Sequence, residues 1–378
     1  MNRLVSALLT LFFRLHAARR GWRPGVRPRP DHIRRVLLVS TTGLGDTILS
    51  LPALAAARRA WPQAEISFLV HRRWAEMFAA VPGRLQVIPY PGKYRQIRSL
   101  LAELRRLTPD LALILHHNDP DLVPLVYLSG PAFIVCRAGT RFNFLLDLAV
   151  PNPDPQRHIA ARRIDLVRAV AGPLEAEPLR LAVPEKQKAW AERFWRDQGL
   201  KPGERPAVLN PGGSRQAKRW PEEHWRELIR RLRSQTDFRP ALFGSPAEKP
   251  ELDRLAGASG FKDLPVVARP DLLETAALLE QAAVLIGPDS GLGHLAVALG
   301  VPVVILFGPD NPVLSGPYRP AAPAAVLIAD RSVCPDLADC HKKECRPNAC
   351  LWALTPDLVL AEMEKILDFT LDIQPKME

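Results

Sequence analysis

Three glycine-bearing turns, each following an apolar run, hold the side chains in this chain best suited to chemistry. The first is GPDSGLGHLAVALG at 287–300. Asp289 and Ser290 there precede a small-residue helix, so its first-turn amides at Gly291, Leu292 and Gly293 and its positive dipole end would face an anion. A plainer role fits the same residues, with Asp289 or Ser290 capping its own helix. The second turn is PGGSRQAKRWPEEHW at 211–225. Gly212 and Gly213 let the backbone come close to a ligand, while Ser214, Lys218 and Arg219 offer a hydroxyl and positive charge. Trp220-Pro221-Glu222-Glu223 reads as the start of the next helix, with acids in its first turn. Two phosphate-type loops in one half of the chain, one with a lysine, point to a nucleotide diphosphate rather than a lone anion.

The third turn lies in VLLVSTTGLGDTILSLPAL at 36–54. Gly43-Leu44-Gly45-Asp46 turns out of an apolar run, but Ile48 stands where a dinucleotide fingerprint needs its third glycine. A nicotinamide-type site is therefore excluded here. What remains is one carboxylate, Asp46, at the carboxyl end of a strand, where open α/β sheets bind their ligands.

The elements that must position these turns alternate strand with helix. Apolar runs at 36–39, 66–70, 111–115 and 133–135, then at 207–209, 240–243, 284–286 and 303–307, are separated by helical stretches such as 52–60 and 96–106. That alternation predicts parallel sheets. Residues 172–206 carry the prolines and charges of an interdomain connection, with one amphipathic helix near 186–198. With 378 residues, 47% of them hydrophobic, the chain can bury two cores. The last helix opens at Thr355-Pro356, and Leu358, Met363, Ile366 and Leu367 are expected on its packed side.

The net charge of +11 is concentrated at the start, where residues 1–35 hold nine arginines against one acid, Asp31. No nucleic-acid-binding module accompanies that charge, and no nucleic-acid partner is expected. In LVSALLTLFFRLHAARR, Leu4, Leu8, Leu11, Phe12 and Leu15 share one helical face, over a run shorter than the about 20 residues needed to span a bilayer. A cleaved signal peptide would carry its positive charge before the apolar run, whereas here the arginines follow it. A buried core helix remains an alternative. The preferred reading is an interfacial helix with a basic continuation, lying on an anionic membrane surface.

Cys136 reads as a small core residue, while Cys334, Cys340, Cys345 and Cys350 form a cluster with five, four and four residues between them. In a secreted protein these would be two disulfides. In a cytoplasmic enzyme they read as thiols or as ligands, with His341 beside them, although the spacing lacks the C-x₂-C pairs of a zinc ribbon. No metal site is assigned.

In order, GLGDTILSLPAL, PGGSRQAKRWPEEHW, GPDSGLGHLAVALG and LFGPDNP resemble glycosyltransferase family 9, the ADP-heptose:lipopolysaccharide heptosyltransferases, over roughly residues 33 to 370. The resemblance implies an α/β GT-B fold, two Rossmann-like domains whose parallel sheets face a central cleft. After the segment at 1–32, read above as lying on a membrane surface, the domains would be an acceptor domain at 33–185, a sugar-nucleotide domain at 186–355, and a C-terminal helix at 356–378 packing back towards the first domain. It further implies an inverting, metal-independent enzyme without a cofactor that moves heptose from ADP-heptose to a lipid-linked lipopolysaccharide core. Such an enzyme would be cytoplasmic, peripheral on the inner face of the inner membrane. This chain has Ser290 where the family usually has threonine, and Gly293 where methionine or serine is common.

The chemistry of the residues agrees with that resemblance. Inversion requires a base to take the acceptor hydroxyl's proton, and Asp46 is the candidate. Charge developing on the departing diphosphate would be met by Lys218, Ser214 and the amides at 291–293, and no D-x-D pair accompanies the loops. Asp289 would bind sugar hydroxyls or order its loop, and His294 would contact ligand or bond locally. Glu248, in FGSPAEKPE, resembles the family's acidic position near the ribose. His116, His117, Asn118 and Asp119 form a candidate acceptor group, with Arg141 and Arg163 as possible anion contacts. Alternatives are a family member using another nucleotide sugar and a non-catalytic nucleotide-binding module of the same fold.

Overall fold

Aliphatic runs flanked by glycine turns form two six-stranded parallel sheets in the computed structural model, which describes residues 3–19, 21, 28–116, 119–175, 177–178, 180–201, 204–261, 263–269, 271–334, 345 and 348–373. The chain divides into two units, Met1–Glu177 and Pro178–Glu378. In the first, β1 (Arg35–Ser40), β2 (Glu65–His71), β3 (Gln86–Tyr90), β4 (Leu111–Ile114), β5 (Ile134–Arg137) and β6 (Leu148–Val150) lie in the order β3-β2-β1-β4-β5-β6. In the second, β7 (Pro206–Leu209), β8 (Arg239–Phe243), β9 (Val266–Val267), β10 (Val284–Pro288), β11 (Val303–Phe307) and β12 (Ala324–Ile328) lie in the order β12-β11-β10-β7-β8-β9. Each unit therefore has the doubly wound order, and its ligand crevice opens where the order reverses, at β1/β4 and at β7/β10.

Register fixes those crevices. Val39 pairs with Leu69 on one side and Ile114 on the other, which centres the end of β1 in its sheet. Leu209 pairs with Ile286, and the Asn210 N–H extends the ladder to the Ile286 carbonyl at 2.9 Å. The central strands are apolar on both faces because helices cover both. In the helix Glu222–Gln235, Trp225, Leu228, Ile229 and Leu232 recur at helical spacing and are buried with Leu209, Ile286 and Leu306. Each such aliphatic side chain contributes about 1.5–3 kcal/mol by leaving water.

The helix Arg3–Arg19 has two different faces. Phe13 and Ala17 are buried in the first core, where Phe13 meets Tyr127 and Phe142 edge-on at 6.4 and 5.8 Å. Leu8, Leu11, Phe12 and Leu15 are between 54% and 57% exposed. One face of this helix is thus buried, as a core helix would have it, while the other stands exposed. Leu4 lies outside the described side chains.

At the other end, the helix Pro356–Ile373 lays Val359, Leu360, Met363 and Ile366 into the second core, against the helix Glu222–Gln235, β11 and β12. Its described apolar face, through Ile366, completes the core of the second unit. Leu358, expected on the packed side, is exposed, because the buried stripe runs one residue later. The unit boundary falls a little before the expected 185/186, and the helix Glu185–Asp197 belongs to the second unit.

Candidate active site

In the second unit three loops converge at the carboxyl ends of β7, β10 and β11. Asn210, just past β7, donates from Nδ2 to the Phe243 carbonyl at 3.0 Å and accepts from Ser290 Oγ at 2.8 Å. Ser290 caps the helix Gly291–Leu299, its Oγ accepting from the Gly293 N–H at 3.3 Å. The capping role weighed for Ser290 is therefore present, and it occupies one of the three amides expected to face an anion. Gly291 and Leu292 remain as first-turn donors without an intrahelical acceptor. A Cβ at Gly293 would stand 3.0 Å from Ile305 Cδ1, so glycine lets this helix start sit directly on β11.

Lys218 sits at the centre of the convergence. Its Nζ donates to Asp289 Oδ2 and Asp310 Oδ2, both at 2.7 Å. Arg215 Nη2 reaches both oxygens of Asp310, at 2.6 and 2.7 Å, and His294 Nε2 stands 3.6 Å from Asp289 Oδ1. Burial works against the Lys218 charge, but Asp289 and Asp310 outweigh it and hold its pKa above the usual lysine value. Burial likewise opposes the Asp289 carboxylate, and His294 and Lys218 overcome that and lower its pKa. Lys218 and Asp289 thus each favour the ionised form of the other despite little contact with water.

Glu248 faces this group from the loop after β8. Its Oε2 accepts from the Ser245 N–H and Oγ at 2.8 Å, and its Oε1 accepts from the Gly213 N–H at 3.2 Å. A Cβ at Gly212 would overlap the Glu248 carboxylate, so a side chain there would push that carboxylate off the turn. Glu248 thereby ties the Gly212-Gly213 turn to β8. Ser214 is exposed at the tip of the same turn.

In the first unit Asp46 stands in the short helix Leu44–Ile48 at the end of β1, with its carboxylate 39% exposed. Arg163, on the helix Ile159–Ala171, donates from Nη2 to Asp46 Oδ1 at 3.1 Å and from Nη1 to the Asp46 carbonyl and to Ser50 Oγ. Ser50 Oγ in turn donates to Ser40 Oγ at 2.9 Å. Arg163 is buried and committed to Asp46, so it is not the outward anion contact considered for it. A cavity of about 170 Å³ opens beside Asp46, lined also by His116, Arg137 and Arg162.

On the other side of the same turn, the Thr41 N–H donates to His116 Nε2 at 2.8 Å and Thr41 Oγ1 to Asp119 Oδ2 at 2.7 Å. Lys93 Nζ pairs with Asp119 Oδ1 at 2.9 Å, bordering a cavity of about 280 Å³ with Trp74 and Tyr90. His117 and Asn118 lie outside the described residues, as do Cys340 and His341. Cys136 is buried in β5, which pushes its thiol up to about 12. Among the described residues no group of three or more His, Cys, Asp or Glu side chains is placed to hold a metal ion.

The structure thus gathers Gly212, Gly213, Lys218, Glu248, Asp289, Ser290 and His294 in one unit and sets Asp46 in the other. Sequence reasoning missed Arg215, Asp310 and Asn210, and it gave Arg163 a different role. The signals for Asp310 and Arg215 were their places in LFGPDNP and in the lysine-bearing loop.

A model of glycosyltransferase family 9 (heptosyltransferase) matches residues 126–344. Lipopolysaccharide heptosyltransferase 1 of Pseudomonas aeruginosa is 31% identical over 327 residues, covering 82% of this chain and 87% of that protein. Among solved structures, a family 9 glycosyl transferase from Veillonella parvula superposes with TM-score 0.78 at 22% identity, covering 92% of this chain and 100% of the other. The ADP-heptose lipopolysaccharide heptosyltransferase II of Escherichia coli superposes at 0.74 and 22% identity, covering 89% and 99%. These two likenesses establish the fold, which is of GT-B type with two parallel-sheet α/β domains.

Proposed function

The chain belongs to glycosyltransferase family 9, and from that membership we propose that it transfers a heptose from ADP-heptose to the inner core of lipopolysaccharide, with inversion and without a metal ion. The observation that carries this reading is the meeting of Lys218, the Gly212-Gly213 turn and the amino end of the helix Gly291–Leu299 at the β7/β10 crevice. A diphosphate held there gains a half-buried cation, the first-turn amides of Gly291 and Leu292 and the helix dipole. The names of the relatives, lipopolysaccharide heptosyltransferase and ADP-heptose heptosyltransferase, support the donor and acceptor class.

In this reading Asp46 accepts the proton of the acceptor hydroxyl as its oxygen attacks the anomeric carbon from the side opposite the diphosphate. Arg163 holds the carboxylate in position for that transfer. The sugar–phosphate bond breaks towards ADP, whose growing charge is met by Lys218 and the amides of Gly291 and Leu292. Asp289 keeps Lys218 oriented. Glu248, in the loop after β8 and bonded to the Gly213 N–H, is assigned the ribose side of the nucleotide in this reading.

The acceptor is lipid-linked, and the exposed Leu8, Leu11, Phe12 and Leu15 with the neighbouring arginines support peripheral contact with an anionic membrane, on the inner face of the inner membrane. No helix among the described residues is long and apolar enough to cross a membrane.

The test is transfer from ADP-heptose to lipid A carrying Kdo but no heptose, with wild type beside Asp46→Ala, in chelator and in added Mg²⁺. Product that forms equally in both buffers and disappears in the variant supports the whole reading. Product from Asp46→Ala at the wild-type rate removes Asp46 as the base. No product together with no ADP binding removes the function.

A further inference from the structure

We propose that Arg215 and Lys218 together form the seat of the donor's diphosphate, and that the Asp310 carboxylate fills this seat in the unliganded enzyme and yields it when the diphosphate arrives. The proposal rests on the donor reading given under Proposed function and adds a second cation and an internal competitor to it.

Two cations share one carboxylate here. Arg215 Nη2 contacts both Asp310 oxygens at 2.6 and 2.7 Å, while Lys218 Nζ contacts Oδ2 at 2.7 Å. A pair of anionic oxygens offered to a guanidinium and an ammonium is also what a phosphate group presents, so the same donors serve either anion. The described hydrogen bonds of the Asp310 carboxylate all go to these two cations.

The local fold does not need Asp310 in this place. The following helix, Pro312–Ser315, is capped by Asn311, whose Oδ1 accepts from the Val313 N–H at 2.9 Å. The Asp310 side chain is 30% exposed and that of Arg215 27%, so both have room to part. Lys218 would not lose its orientation on parting, because Asp289, only 11% exposed at the helix start, holds it separately.

Exchange of a carboxylate for a diphosphate has a functional consequence. The donor and the product ADP bind through the same diphosphate, so a competitor in the seat weakens both and speeds ADP release. Where an occluded state outweighs the open one about tenfold, apparent affinity falls by about the same factor.

Calorimetric titration of the full chain with ADP tests this, using wild type, Asp310→Asn, Arg215→Gln and the double variant, each checked by circular dichroism. Asp310→Asn is expected to bind ADP roughly tenfold tighter and to release it more slowly, and Arg215→Gln to bind it more weakly. The gain from Asp310→Asn should shrink in the Arg215→Gln background. Asp310→Ser carries the same test where the asparagine variant fails to fold. Unchanged or weaker ADP binding by a folded Asp310 variant overturns the proposal, since Asp310 would then be orienting the cations. Wild type that binds no ADP overturns the donor reading as well, which separates the two failures.

Discussion

Arg163 holds Asp46 at two points, the carboxylate at 3.1 Å and the main-chain carbonyl, although 117 positions separate them in sequence. The first contact aims the side chain and the second fixes the turn that carries it. The base proposed for the transfer is thus held at both ends of its residue.

Replacing Asp46 with asparagine should lower kcat by about 10²–10⁴ with ADP affinity unchanged. Arg163→Met should lower kcat by roughly tenfold to a hundredfold with little change in donor KM, and Arg163→Lys should recover part of the loss. Steady-state kinetics with both substrates varied separates these effects. Equal loss in the methionine and lysine variants, tracking a lowered Tm, would mean that Arg163 serves stability alone.

Lys218→Gln should weaken ADP binding by roughly tenfold or more, because a charge-assisted contact of about 1.5–3 kcal/mol is removed. The variant also leaves Asp289 and Asp310 without that cation, so its affinity should recover partly when Asp289→Asn is added. Fluorescence or calorimetric titration with ADP reads both effects.

The lowered pKa of Asp289 makes stability depend on acid. A carboxyl that titrates lower in the folded chain than in the unfolded one stabilises the fold above the ordinary carboxylate range, and this is lost as pH falls through the folded value. Asp289→Asn should therefore be less stable than wild type near about pH 7, with the gap closing towards about pH 3. Urea midpoints across that range give the comparison, and a gap that widens in acid would contradict it.

Opposite faces of the N-terminal helix should respond differently. Phe13→Ala removes a buried ring and should cost about 3 kcal/mol of stability. Leu11→Asp with Phe12→Asp should leave Tm nearly unchanged while reducing sedimentation with vesicles containing anionic phospholipid. Undiminished vesicle binding by the double variant would remove this helix as the membrane contact.

Legibility in the sequence followed position in the sheets. All eight interior strands stood out as apolar runs, and the four that did not, β3, β6, β9 and β12, are the four sheet edges. An edge strand is half solvated, so its residues need not be apolar on both faces. β3 admits Pro89, β9 has two residues, and β6 is only half buried along its length. The glycine turns were readable because their local chemistry is contiguous. The Arg163–Asp46 and Arg215–Asp310 pairs were not, because side chains 117 and 95 positions apart meet only through the fold. Burial likewise turned Arg163 from a possible ligand contact into a support for Asp46.

The division into units with separate buried cores bears on how the enzyme melts. A ligand that binds one cooperative block raises that block's transition and leaves the other in place. At about a hundredfold excess over Kd, ADP adds about 2.7 kcal/mol to whatever unfolds with its site. Calorimetric scans should therefore resolve two transitions, with nucleotide moving only the one that belongs to Pro178–Glu378.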